Sequence, residues 1–97
     1  MNKFECDKSK ARCNYDKHGI KFTDAGRALK SGYALTQRSP QSDEVGEERN
    51  LSITRRPDGR AIVVVWTPRK EHVRIISVRY ARQKEQEAFS GYLQKIQ

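Results

Sequence analysis

Apolar residues recur along this chain with three different spacings, and each change of spacing marks an element. From Lys8 to His18 there is neither Pro nor Gly, and Ala11, Asn14 and His18 fall on one helical face. Asp7 is placed to cap this helix, Lys17 and His18 to complement its dipole, and Gly19 to supply the left-handed residue after its end. Ile20 and Phe22 then give two apolar anchors. Thr23 is placed to cap a second, shorter helix that runs to Lys30, carries Asp24 in its first turn, is weakened by Gly26 and ends at Gly32.

The spacing then shortens. Tyr33 to Gln37 predicts a first strand, and Ser39 to Gly46, polar and containing Pro40, predicts a mobile loop. Arg49 to Thr54 alternates Leu51 and Ile53 with Asn50 and Ser52, as a half-buried second strand does. Arg56-Pro57-Asp58-Gly59 is a turn signal. Ala61 to Trp66 is apolar throughout, which marks a central strand covered on both faces. After a turn from Pro68 to His72, the β-branched stretch from Val73 to Ala81 predicts a fourth strand.

Helical spacing returns from Arg82 to Ile96, with Glu85, Phe89, Tyr92, Leu93 and Ile96 in one stripe. Its apolar part must be covered, either by the chain's own sheet or by a partner. The sum is an α+β domain: two N-terminal helices, a four-stranded mainly antiparallel sheet and a C-terminal helix. With 97 residues, 35% hydrophobic and 33% charged, one domain with a thin core is expected, its helices on one side of the sheet.

The net charge is +8, and it is uneven: +4 over residues 1–30, −1 over 31–59 and +5 over 60–97. Basic flanks attract polyanions, chiefly nucleic acid, and the same field would suit an acidic protein partner. No apolar run is long enough to span a membrane, and the start lacks a signal-peptide pattern, so a cytoplasmic protein is expected. Cys6 and Cys13 are expected to be reduced and half-buried. Their spacing suits neither a helix-borne disulfide nor, with His18, a zinc site. Neither a metal nor another cofactor is expected. No phosphate-binding Gly loop, Gly-x-Ser-x-Gly or His-Glu-x-x-His pattern is present, which argues against nucleotide hydrolysis, esterase and zinc-protease chemistry.

Four stretches carry the candidate chemistry. They are Asn14-x-x-Lys17-His18-Gly19, Gly46-Glu47-Glu48-Arg49-x-Leu51-x-Ile53, Val63-x-Val65-x-Thr67, and Val73-Arg74-Ile75-Ile76-Ser77-x-Arg79-x-Ala81-x-x-x-Glu85. Together with Phe4-Glu5, Asp7 and Phe22, their order and spacing resemble the BrnT toxin family from Phe4 to about Glu87. The chain departs from that pattern near Cys6, where Trp is common, near Thr54, where Gly is common, and at Tyr80, where a basic residue is common. The resemblance implies a RelE-like ribonuclease fold in a type II toxin–antitoxin pair that inhibits translation and growth. It also implies a BrnA-like ribbon-helix-helix antitoxin, a 2:2 assembly, and operator DNA bound only through the antitoxin.

RNA cleavage without a metal requires a base for the 2′-OH, cations for the phosphate and an acid for the leaving oxygen. Arg49, Arg74 and Arg79 are the cation candidates, because a guanidinium stays charged and grips two oxygens; the alternative for each is a solvated surface arginine. Strict alternation puts Ile75, Ser77 and Arg79 on one face and Arg74 on the other, unless a bulge re-aims it. Glu48 is the candidate base, or else an ion-pair partner. Thr67 and Ser77 are candidates to orient phosphate oxygens, Tyr80 to stack on a base, and Lys17 and His18 to meet RNA. Against these stand plain structural roles: tolerated strand hydroxyls, a core tyrosine and a helix-end histidine. Two rival functions share the same features, a non-catalytic nucleic-acid-binding domain and a protein-interaction module.

Overall fold

The structure, a computed structural model, describes residues 3–5, 8–39, 48–70 and 72–96. Cys6, Asp7 and the expected loop beyond Ser39 lie outside these residues. The elements run β1 (Lys3–Glu5), α1 (Lys8–His18), α2 (Phe22–Ser31), β2 (Leu35–Arg38), β3 (Asn50–Arg55), β4 (Ala61–Pro68), β5 (His72–Tyr80) and α3 (Gln83–Lys95). The fold is α+β, and its four expected strands form the antiparallel meander β2–β3–β4–β5. A short strand, β1, adds to it in parallel along the outer edge of β5, giving the order β1-β5-β4-β3-β2. Three residues are too few for a periodic signal, so this strand was invisible to the pattern.

The local signals place the turns. Gly19 takes φ +70° and its N–H reaches Tyr15 O at 2.7 Å, closing α1 as expected. In the β3–β4 hairpin, Gly59 takes φ +92° and donates to Arg56 O at 2.9 Å, while Arg56 N–H donates to Arg60 O at 2.8 Å. That is a three-residue loop with its left-handed position filled by glycine. Helix α2 begins one residue earlier than its expected cap, so Thr23 lies within the helix and Lys21 precedes it without a side-chain cap bond.

Both faces of the sheet are covered, so the expectation of helices on one side alone is corrected. Ile62 and Val64 of β4 and Ile75 and Val78 of β5 pack with Ile20, Phe22, Ala25 and Ala28, under α1 and α2. On the other face Ile53, Val63 and Ala81 pack with Phe89 of α3, flanked by Leu35, Leu51, Tyr92 and Leu93. The C-terminal stripe therefore covers the chain's own sheet. Alternation along an apolar central strand supplies both surfaces at once.

Two buried polar groups tie helices to strands. Asn14, 6% exposed, accepts from the Val78 backbone N–H at 3.0 Å and donates to Ile20 O at 3.4 Å. Among the described residues β1 pairs with β5 as far as Arg74, and Asn14 does for Val78 what an edge strand would do. Thr54 donates to Tyr33 O at 2.8 Å, holding the exit of α2 against β3. Cys13 is exposed on α1, not half-buried.

Candidate active site

The pairing of β4 with β5 slips by one residue near its middle. Val63 faces Arg79 and Val65 faces Ser77, but Trp66 then faces Ile75 and Thr67 faces Arg74. Ile76 is the extra residue of a bulge, so every side chain before it changes face. Ile75 joins the core beneath α1 and α2, and Arg74 moves to the face that carries Thr67, Ser77 and Arg79. The grouping of Ile75 with Ser77 and Arg79 is thus corrected, and the re-aiming that Arg74 required is present.

Beside that bulge is a cavity of about 110 Å³, lined by Lys10, Arg49, Thr67, Arg69, Arg74, Ile75 and Ile76. It has the volume of about four waters of bulk liquid, the scale of one oxyanion and well below that of a typical small-molecule pocket. Arg49 arrives from the segment before β3, Arg74 from β5, Arg69 from the β4–β5 turn and Lys10 from α1. A larger depression of about 680 Å³ runs along Arg82, Gln83, Lys84, Glu85 and Glu87. Among the described residues it is lined by one end of one helix, whereas a site requires groups converging from several elements.

Thr67 is 2% exposed and its hydroxyl donates to Glu48 O at 2.6 Å. Its one proton is therefore committed to the backbone just before Arg49. On the other side, Ser39 N–H donates to Arg49 O at 2.7 Å. The Glu48–Arg49 segment is held from both β4 and the end of β2. The Glu48 side chain is exposed and accepts from Asn50 Nδ2 at 3.2 Å.

Arg79 is engaged differently. Its Nη1 and Nη2 donate to the two carboxylate oxygens of Glu85, both at 2.7 Å, in a bidentate pair. Glu85 also accepts from the Arg82 N–H at 2.8 Å, which caps α3. The hydrogen bond from Arg79 lowers the Glu85 carboxyl to about 2, against an opposing effect of burial. The same bond raises the Arg79 guanidinium above its ordinary value. Ser77 is half-buried on the Arg79 face, outside the cavity lining.

The remaining candidates lie elsewhere. Tyr80 faces the other side of the sheet, opposite Ile62; Arg56 and Arg60 lie 5.9 and 5.3 Å from its ring centroid, and Arg56 Nη1 donates to its hydroxyl at 2.7 Å. Lys17 and His18 are exposed at the C-terminal end of α1, more than a turn beyond Lys10. Lys10 and Arg69 were missed by sequence reasoning. Lys10 did carry a signal: it precedes Asn14 by four residues and so shares its helix face.

Residues 6–85 match the family described as ribonuclease toxin, BrnT, of type II toxin–antitoxin systems. The chain belongs to the BrnT family. The crystal structure of the ribonuclease toxin BrnT from Brucella abortus, at 1.1 Å resolution, superposes with a TM-score of 0.68 at 25% identity, over 86% of this chain and 100% of that one. No curated protein matches. As a BrnT-family protein the chain is a ribonuclease toxin of a type II toxin–antitoxin system, with RNA as target and an antitoxin as partner. The matched region contains all four cations of the cavity and also the Arg79–Glu85 pair. No helix among the described residues is long and apolar enough to cross a membrane.

Proposed function

We propose that this BrnT-family chain cuts RNA by internal transesterification, with the scissile phosphate seated against Arg49 and Arg74. The 2′-OH attacks phosphorus, the bond to the 5′ oxygen breaks, and the products are a 2′,3′-cyclic phosphate and a 5′-OH. Glu48, beside Arg49, takes the 2′ proton, and solvent returns one to the leaving oxygen. The guanidinium groups hold the charge that builds on the phosphorane, so the positive charge comes from the chain and not from a metal. Thr67 positions Arg49 through Glu48 O, and Arg79 anchors α3 through Glu85. Ser77, Lys17 and His18 belong to the outer RNA surface.

The observation that carries this reading is the convergence of Arg49, from the segment before β3, and Arg74, from β5, on one phosphate-sized cavity. In the cytoplasm, cutting transcripts would stop translation and growth. A BrnA-like ribbon-helix-helix antitoxin, in a 2:2 assembly, would neutralise the basic surface and carry the pair to operator DNA. The test is purified protein with a short RNA in excess chelator, beside the same oligonucleotide with 2′-deoxy sugars. Cleavage of the ribose strand alone, leaving cyclic phosphate ends, is expected. A deoxy strand cut equally well, or ribose strands left whole, overturns the mechanism.

A further inference from the structure

We propose that Lys10 and Arg69 complete, with Arg49 and Arg74, a binding site for a single phosphate group of the RNA backbone. The inference rests on the reading above that Arg49 and Arg74 face the phosphate. It adds two residues, from α1 and from the β4–β5 turn, that neither strand pattern nor family description assigns.

Three observations support it. First, all four cations line one cavity of about 110 Å³. Second, the elements that deliver the two added residues are fixed. Ala11, next to Lys10, packs on the core, and Asn14, one turn on, is bonded to the Val78 N–H, so α1 can neither rotate nor slide along β5. Arg69 closes its turn by bonds in both directions with His72, N–H to O at 2.7 Å and O from N–H at 3.3 Å. Third, the chemistry is complementary. The guanidinium groups present planar forks for pairs of oxygens, and the ammonium of Lys10 adds a compact charge that suits a third.

Calorimetric titration with inorganic phosphate, at fixed ionic strength, tests the assignment with a readout that needs no catalysis. Wild-type protein should bind, Lys10→Met should bind about tenfold more weakly, as loss of one charge-assisted hydrogen bond implies, and Lys10→Arg should recover most of the difference. Arg69→Met should behave as Lys10→Met does, while Lys95→Met, at the end of α3, should match wild type. With a 2′-O-methyl RNA that cannot be cut, Lys10→Met should also reduce the dependence of log affinity on log salt by about 0.7. Lys10 is on an exposed helical turn and Met is a comparable helix former, so the variant should fold; Lys10→Gln provides a second neutral side chain. Unchanged phosphate affinity in both neutral variants, or no binding by wild type, overturns the inference. If phosphate binding falls while RNA is cut at the wild-type rate, the four-cation site stands and the catalytic reading fails instead.

Discussion

The Thr67 hydroxyl donates to the carbonyl oxygen of Glu48 at 2.6 Å, and Thr67 is 2% exposed. A strand residue thus fixes the backbone of the segment that carries Arg49. Thr67→Val keeps the shape and removes the donor, leaving a carbonyl without its partner at a cost of about 1–3 kcal/mol. Cleavage should fall about tenfold or more as Arg49 loses its placement, whereas Thr67→Ser should stay close to wild type. Paired urea denaturation and single-turnover cleavage would show it. Full activity in a destabilised Thr67→Val protein would mean that the bond serves folding alone.

Arg79 and Glu85 predict a pH dependence. The carboxyl sits at about 2 in the folded chain, below its ordinary 4.5, mainly because Arg79 donates to it. A depressed carboxyl stabilises the fold above its unfolded pKa and loses that contribution as pH falls through the folded one. Wild type should therefore exceed Glu85→Gln in stability at pH 7, by about 1 kcal/mol as befits a bidentate but part-exposed pair. The difference should shrink between about pH 5 and 2. Urea midpoints across that range measure it, and curves that stay parallel would contradict the assignment.

Asn14 is the second stability prediction. Its side chain serves Val78 N–H and Ile20 O from a buried position. Asn14→Ala should cost about 2 kcal/mol, because two backbone groups lose a partner away from water. Exchange of the Val78 amide should quicken more than that of residues in β3. An unchanged Val78 exchange rate would show that another group satisfies it.

Arg74 provides the catalytic test. Arg74→Ala should lower single-turnover cleavage by about 100-fold, the scale seen when one donor to a developing oxyanion is removed. Arg74→Lys should recover only part, since charge returns without the planar fork. Circular dichroism should be unchanged in both. A folded Arg74→Ala protein that cuts RNA at the wild-type rate would remove this residue from the chemistry.

Much of the fold was legible because its signals are local. Lys8–His18 had no breaker and Gly19 had the freedom its φ demands; Gly59 closed the hairpin that Pro57 and Asp58 announced. The candidate site was less legible. Arg49, Thr67 and Arg74 were named from strand positions and do meet in one cavity, yet Lys10 and Arg69 were not seen, because both lie outside the strands. Arg79 was read as a phosphate ligand, but its fork grips Glu85, six residues on and across a strand–helix corner that periodicity does not describe. Tyr80 was weighed between stacking and core, and the structure packs it against the core cluster of Ile62 and Val78, with Arg56 and Arg60 near its ring, at the opposite end of β5 from Arg74.

By itself, the order of residues determined the helices, the antiparallel meander and the cationic character of the flanks, because those depend on contacts within a few residues and on charges that simply sum. Which face each arginine takes was decided only by the assembled sheet. One unpaired residue, Ile76, reverses the side on which everything before it projects, and a bulge arises from the fit between two strands and the layers packed on them, not from either strand's own pattern.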